Sequence, residues 1–180
     1  MGSDRTIGRL GDHLAQVIDN RGKTPPNDTV RTDFELLEVN CLTGSGRQPN
    51  YDVVRKFVTK ETYDSWFRNG HPKPSDVIIS TVGSIGEVCI SEGRGSIAQN
   101  LIALKPKQDA LTGEFLYYYL SSQEVKNELL TLNISSVQPS IKVPHLLDLE
   151  ISLPPLTEQK AIAHILGTLD DKIELNRRMN

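Results

Sequence analysis

The stretch Asp76–Ile90, with the sequence DVIISTVGSIGEVCI, has the clearest strand pattern in the chain. Two apolar runs rich in Val and Ile flank a short turn, a pattern that predicts two strands joined by a tight connection. The turn contains Gly83 and Gly86, and glycine is the residue that tolerates a positive φ in such a connection. The stretch therefore predicts a pair of strands with left-handed backbone between them.

Similar short apolar runs, bounded by Gly, Pro, Asn or Ser, extend the β-rich pattern over the first two thirds of the chain. The predicted strands are Leu36–Leu42, Val53–Val58, Asp76–Val82, Glu87–Ile90 and Leu101–Leu104. A short amphipathic helix is predicted from Thr59 to Phe67, with Asn69-Gly70 ending it. A further strand, interrupted by Pro144, is predicted from Ile141 to Leu153.

Helical spacing of apolar residues predicts two helices in the last third. One runs from Glu114 to about Leu132 with Thr112 as its N-cap. The other follows a double proline and runs from Thr157 to Asn180, about 36 Å at ~1.5 Å per residue. Its apolar stripe needs a partner surface and consists of Ile162, Ile165, Leu166, Leu169 and Ile173. The predicted fold class is α+β, with a β-rich domain at residues 1–155 and a long coiled-coil-type helix at residues 156–180.

The composition excludes a protein that holds nucleic acid by bulk attraction, because 180 residues carry a net charge of −3. Residues 47–107 are locally basic, with nine Lys and Arg residues against six Asp and Glu residues. Cys41 and Cys89 lie in apolar runs without metal-ligand spacing, which predicts buried thiols. The N-terminus lacks a signal-peptide apolar region and no stretch approaches a membrane span, so we expect a cytoplasmic protein without membrane contact.

Four segments, taken in order, resemble the specificity (S) subunit of type I restriction-modification systems. They are Asp19–Pro25 (DNRGKTP), Ser75–Gly86 (SDVIISTVGSIG), Ile97–Asn100 (IAQN) and Leu153–Asn176, which begins LPPLTEQKAIA. The resemblance covers nearly the whole chain. It implies that residues 1–155 form one target-recognition domain, which binds half of a bipartite site in double-stranded DNA. It also implies that the final helix is the spacer element, which docks methyltransferase subunits.

The same resemblance implies a non-catalytic subunit with no catalytic residue, metal or cofactor of its own. S-adenosylmethionine, Mg²⁺ and ATP would belong to the methyltransferase and restriction subunits that act with it. A whole subunit of the family carries two recognition domains and two antiparallel helices, whereas this chain carries one of each. The chain is therefore either a half subunit that forms a homodimer or a fragment. Both interpretations predict that the apolar stripe pairs with a second helix.

The chemistry of DNA contacts selects candidate residues, because basic groups contact phosphates and polar loop groups read base edges. The phosphate candidates are Arg21, Lys23, Arg55, Lys56, Lys60, Arg68, Lys73, Lys105 and Lys107. The base-reading candidates are Arg47, Gln48 and Asn50 first, then Arg94, Gln99, Asn100, Ser136, Gln138 and Lys142. The loop of Arg47 ranks first because glycines give it a flexible base.

Two other functions stay open from the residues alone. A Mg²⁺-dependent nuclease or other DNA-modifying enzyme would use Asp109, Glu124 and Lys126, since Glu-x-Lys is half of a nuclease metal site. A protein-only adaptor would use the C-terminal helix and bind no DNA.

Overall fold

A computed structural model describes residues 5–44, 46–134 and 137–179, without the side chain of Arg178. Its strands are β1 (Thr6–Arg9), β2 (Leu14–Ile18), β3 (Glu35–Leu37), β4 (Lys56–Phe57), β5 (Pro74–Ser80), β6 (Val88–Glu92), β7 (Ser96–Ile97), β8 (Leu101–Pro106) and β9 (Glu150–Leu153). Its α-helices are α1 (Lys60–Ser65), α2 (Gly113–Ser121), α3 (Gln123–Thr131), α4 (Val143–Leu147) and α5 (Leu156–Met179). Short 3-10 helices lie at Leu10–His13, Val39–Cys41 and Tyr51–Val53.

The central sheet has four antiparallel strands in the order β2-β8-β5-β6. Val77 and Ile79 on β5 face a core shared with α2, α3 and α4, whereas Ile78 faces a second core. That second core includes Leu37 and Ile97 of the three-stranded sheet β4-β3-β7. Because both faces of β5 are covered, its sequence reads as a continuous apolar run and not as an alternation.

The central strand pair agrees with its prediction. Gly83 and Gly86 both have a φ of 81°, so the turn needs the left-handed backbone that glycine allows. The short helix after β4 is also confirmed as α1, and Gly70 has the positive φ expected after it. Cys41 and Cys89 are buried, and burial raises the pKa of both thiols.

The predicted helix from Glu114 to Leu132 is wrong, because the chain forms two helices that meet at Ser122. Ser122 has extended backbone, with ψ at 145°, and its hydroxyl accepts a hydrogen bond from the Val125 amide. It therefore caps α3 and breaks the continuous helix. The predicted N-cap of α2 is confirmed, since the Thr112 hydroxyl accepts from the Phe115 amide.

Several predicted strands are also wrong in extent. The run Leu36–Leu42 contributes only β3, and Val53–Val58 contributes only β4, because 3-10 helices take up the neighbouring residues. The predicted strand Ile141–Leu153 is a short helix followed by β9. Pro144 lies in the first turn of α4, a position where proline costs no hydrogen bond. Strands β1, β2 and β7 were not predicted.

The last 24 residues described form α5, in agreement with the predicted long helix. The helix begins directly after β9, which pairs antiparallel with β1. It packs against α2. Within the ranges that the structure describes, no helix is long and apolar enough to cross a membrane.

A buried glutamine fastens α5 to the domain. The side chain of Gln159 is fully buried and bonds three backbone groups from two other segments. Its Oε1 accepts from the Thr112 amide at 3.0 Å, and its Nε2 donates to the carbonyls of Ala110 and Pro154 at 2.8 and 2.9 Å. Gln159 is the glutamine of the PPLxEQ motif, so the motif has a structural role at this junction.

We expect Gln159→Ala to lower the free energy of unfolding by about 2–4 kcal/mol, because it leaves buried backbone groups without hydrogen bonds. Urea denaturation followed by circular dichroism measures the change. The matched control is Gln123→Ala, since Gln123 is exposed near the start of another helix and should change stability by less than about 0.5 kcal/mol. Equal effects of the two substitutions would contradict this role.

Candidate nucleic-acid interface

Three loops leave the central sheet at the same end. Ile18, the last residue of β2, pairs with Ala103 near the start of β8, and Ser80, the last residue of β5, pairs with Leu101. Residues 19–25, residues 81–86 and residues 98–100 therefore emerge side by side. Three of the four segments that carry the family resemblance contain these loops.

Hydrogen bonds join these loops to each other. The Arg21 Nη1 donates to the Thr81 hydroxyl at 3.1 Å, and the Thr81 amide donates to the Asn100 carbonyl at 2.8 Å. The Gln99 side-chain amide donates to the Thr24 hydroxyl. Residues 137–140 join the same group, since the Gly83 amide donates to the carbonyl of residue 139 at 2.8 Å. We call residues 19–25, 81–86, 98–100 and 137–140 the loop cluster.

Arg21 is held in one orientation within the loop cluster. Asp19 accepts from the Arg21 Nε and Nη2, each at 2.8 Å. Burial alone would raise the pKa of Asp19, but the hydrogen bonds and charge of Arg21 lower it overall. Asp19 and Thr81 orient Arg21 but were not predicted as functional residues, although Asp19 lies only two residues before it.

The loop cluster presents polar side chains to solvent. Lys23, Gln99 and Gln138 are exposed, and Asn100 is half-buried. Gln99 has a φ of 56°, a left-handed conformation that is uncommon for residues other than glycine. Lys56 lines a small cleft together with Gln99 and Asn100. Ser136, another predicted base-reading residue, lies outside the described residues.

The loop predicted first for base reading lies elsewhere. Arg47, Gln48 and Asn50 line a cleft with Pro74 at the start of β5 and Glu92 at the end of β6, which is the opposite end of the central sheet. Among the described residues, this cleft has one cationic side chain, Arg47. Its carboxylates belong to Asp52, Glu92, Glu114, Asp170, Asp171 and Glu174. We call it the acidic cleft.

Arg47 is engaged within the acidic cleft. Its Nη2 donates to the Asp171 Oδ1 of α5 at 2.5 Å, and the ion pair spans 124 residues of sequence. Burial by itself would lower the pKa of Arg47, yet the neighbouring Tyr118 and Asp171 side chains raise it above its usual value. This guanidinium is therefore already paired inside the protein, which disfavours its use in base reading.

Arg94 follows β6 at the same end of the sheet as the acidic cleft. Its Nε donates to the Glu35 Oε1 at 2.9 Å, its Nη2 donates to the same oxygen, and its guanidinium lies 4.5 Å from the centre of the Tyr51 ring. The Glu35 side chain is only 4% exposed. The hydrogen bond from Arg94 to Glu35 raises the pKa of the Arg94 guanidinium. Burial is the main reason why the pKa of the Tyr51 phenol is raised to about 12. Arg94 thus neutralises the buried carboxylate of Glu35, which was not predicted as a functional residue.

The other basic candidates are distributed over the domain. Arg55 and Lys60 line two clefts that share Arg31 and Glu35, and Lys60 pairs with Asp64. Lys105 lies near the end of β8, away from the loop cluster, and the Lys107 ammonium donates to the Asp12 carbonyl. Lys73 precedes β5, Arg68 follows α1, and Lys142 precedes α4. The predicted DNA-contacting residues therefore do not form one surface.

The predicted apolar stripe of α5 is covered by the domain only at its first residue. Ile162 packs against the main core, so the prediction that it contacts a second helix is wrong. Ile165 and Leu169 are 60% and 50% exposed, and Leu166 and Ile173 are 36% and 49% exposed. We call Ile165, Leu166, Leu169 and Ile173 the apolar stripe of α5. No part of the described chain covers it.

The residues of the nuclease alternative do not form a compact site. Glu124 and Lys126 lie two positions apart on α3, so their side chains leave the helix about 200° apart. Asp109 lies in the turn after β8. Within residues 5–44, 46–134 and 137–179, no group of three His, Cys, Asp or Glu residues could hold a metal ion.

Comparison with known proteins identifies the class. The chain belongs to the family described as the type I restriction modification DNA specificity domain, whose profile matches residues 14–180. It is 43% identical over 72 residues to the type I restriction enzyme MjaVIII specificity subunit of Methanocaldococcus jannaschii, a match covering 40% of this chain and 17% of that protein. It is 29% identical over 104 residues to the MjaIX specificity subunit of the same organism, covering 58% and 24% of the two chains.

A solved structure supports the fold assignment. The HsdS subunit from Thermoanaerobacter tengcongensis matches with a TM-score of 0.67 at 22% identity, covering 99% of this chain and 40% of that one. The chain therefore has the mixed fold of part of such a subunit, and it spans about a quarter or less of the curated relatives that it matches.

We expect Arg94→Ala to lower the free energy of unfolding by about 1–3 kcal/mol, because it leaves the buried Glu35 carboxylate without its cation. Chemical denaturation measures the change. Adding Glu35→Gln should recover part of the loss, since the uncompensated charge is then removed. If Arg94→Ala leaves stability unchanged, the pairing with Glu35 does not hold the guanidinium, and the side chain is available for other contacts.

Proposed function

We propose that this chain recognises one half of a bipartite DNA site for a type I restriction-modification complex. The observation that carries the proposal is the loop cluster, in a chain that belongs to the specificity family. Segments distant in sequence meet there and present Lys, Gln and Asn side chains on one exposed end of the central sheet. Such groups contact phosphates and read base edges in the major groove.

Within the loop cluster, we assign different roles to the charged and neutral side chains. Lys23 is exposed and contacts phosphates, while Arg21 is held rigidly by Asp19 and links the loops through Thr81. Gln99 and Gln138 are exposed amides, the kind of side chain that pairs with adenine edges. Asn100 belongs to the same loop as Gln99 and completes the set of base-reading residues in the loop cluster.

We propose that the apolar stripe of α5 packs against a second spacer helix. Four large apolar side chains on one face of a helix are typical of a helix pair, and the supercoiled form is the coiled coil. The second helix would come from another copy of this chain or from the other half of a longer subunit. The helix pair would also dock the methyltransferase subunits.

In this proposal the chain recognises the DNA sequence and sets the spatial arrangement of the complex, but it catalyses no reaction. Methyltransferase subunits would bring S-adenosylmethionine, and the restriction subunit would bring ATP and Mg²⁺. The complex would act on DNA in the cytoplasm.

The direct test is a binding-site selection with this chain assembled with the methyltransferase subunits of its own system. We expect a defined half-site to be enriched. We expect the isolated chain to bind DNA weakly, since few phosphate contacts are available, and to lose affinity as salt rises from about 50 to 200 mM. Mg²⁺-dependent cleavage by the isolated chain would favour the nuclease alternative, and absence of DNA binding in the assembled complex would favour the adaptor.

We expect Lys23→Ala to weaken DNA binding by the assembled complex for all sequences and to reduce the slope of log K against log salt by about 1, because one phosphate contact is lost. Fluorescence anisotropy over a salt series measures both quantities. Lys160→Ala is the matched control, since this exposed lysine lies on α5 and is not among the predicted DNA-contacting residues. Equal slopes of log K against log salt for the two variants would show that the loop cluster is not the phosphate-contacting surface.

We expect Leu169→Glu to prevent helix pairing, because it buries a charge in the paired interface at a cost of about 3 kcal/mol, or ~100-fold in Kd. Sedimentation velocity at micromolar concentration measures the change from dimer to monomer. Thr168→Glu is the control, because Thr168 is an exposed polar residue outside the apolar stripe. A wild-type chain that sediments only as a monomer would contradict the pairing of two copies.

A further inference from the structure

The acidic cleft contains a second attachment between α5 and the recognition domain. Arg47 belongs to a loop that β6 fixes, since the Ile90 amide donates to the Arg47 carbonyl at 2.7 Å. From this loop its guanidinium reaches the Asp171 carboxylate of α5. The Arg47 side chain is 32% exposed, so it lies largely within the protein.

Helix α2 contributes an independent contact at the same point. The Tyr118 hydroxyl donates to the Asp170 Oδ2 at 2.8 Å. Burial, and then the hydrogen bond to Asp170, raise the pKa of the Tyr118 phenol, so this group stays a donor at neutral pH. Two adjacent carboxylates of α5 are therefore held by two different elements of the domain.

A glycine allows the close approach of the helix. Gly167 is buried one turn before these carboxylates, and a Cβ atom there would overlap with the Arg47 Nη1 and lie 3.5 Å from the Tyr118 hydroxyl. The helix backbone thus approaches Arg47 and Tyr118 at the one glycine within α5. A larger residue would push the helix away from the domain at this point.

The second attachment determines the direction of the helix. A rigid helix fixed only at Gln159 could still swing about that point. Gly167 lies eight residues further, about 12 Å along the axis at ~1.5 Å per residue. Two contacts separated by this distance, both on the face that packs on the domain, define the direction in which α5 leaves it.

We propose that Arg47 and Tyr118 are positioning residues that set the angle between α5 and the recognition domain, and thereby the number of base pairs between the two half-sites. The inference rests on the proposed function of the chain. A swing of about 10° about Gln159 moves the end of α5, ~30 Å away, by about 5 Å. Since one base pair rises ~3.4 Å, this is a change of roughly one to two base pairs.

The test is a binding-site selection in which the half-sites and the length of the spacer between them are both randomised. The assembled complex is used with the wild-type chain, Arg47→Ala, Tyr118→Phe and Asp171→Asn. We expect the wild-type complex to select one spacer length. The three variants should select the same half-site sequence with a spacer distribution broadened by one to two base pairs. Asp64→Asn is the control, because it removes a carboxylate from an exposed ion pair with Lys60.

The outcomes separate this inference from the proposed function. A spacer distribution unchanged in all three variants overturns the positioning role, although the proposed function stands. If Arg47→Ala loses its preference at one base of the half-site while the spacer length is unchanged, the positioning role is also overturned. That result would show that Arg47 reads a base. A wild-type complex that selects no bipartite sequence overturns the proposed function and this inference together. Asp171→Asn keeps the test valid if Arg47→Ala does not fold, since the Asp171 side chain is 68% exposed.

Discussion

The hydrogen bonds of Gln159 are the constraint on which the arrangement of the molecule depends. One buried amide satisfies backbone groups of residues 110, 112 and 154, which otherwise would be unpaired in the core. The orientation of the Gln159 side chain fixes the rotation of α5 about the helix axis. It therefore determines which residues of α5 face the domain. Gly167 lies on the inner face, whereas the apolar stripe lies on another face of the helix and remains outside. A single side chain thus separates an intramolecular face from an intermolecular one.

The parts of the fold that were predictable are those in which neighbouring residues decide the structure. The β5-β6 pair follows from its apolar runs and its two glycines, and α5 follows from helical periodicity after a double proline. Strand β1 was missed because its residues are mostly exposed, and because its partner β9 lies more than 140 residues away. The break at Ser122 was missed because α2 and α3 together have one long helical pattern, while a single hydroxyl cap decides the boundary.

The candidate site was predictable in its residue types but not in its grouping. Lys23, Gln99 and Gln138 were selected from composition, and their meeting in one place depends on the register of strands β2, β5 and β8. Arg47 was selected for the same chemical reason, yet carboxylates of α5 and a tyrosine of α2 occupy its surroundings. The sequence near an arginine shows what it could bind, whereas only the folded chain shows what it already binds.

The acidic cleft has an electrostatic consequence for a polyanion. Its six carboxylates lie at the end of the central sheet opposite the loop cluster, so the domain carries an uneven distribution of charge despite a net charge of only −3. A duplex that approaches the acidic cleft meets repulsion between carboxylates and phosphates, whereas at the opposite end it meets the exposed Lys23. The acidic cleft therefore disfavours contact with DNA on its own side of the domain. This repulsion weakens as added salt screens the charges.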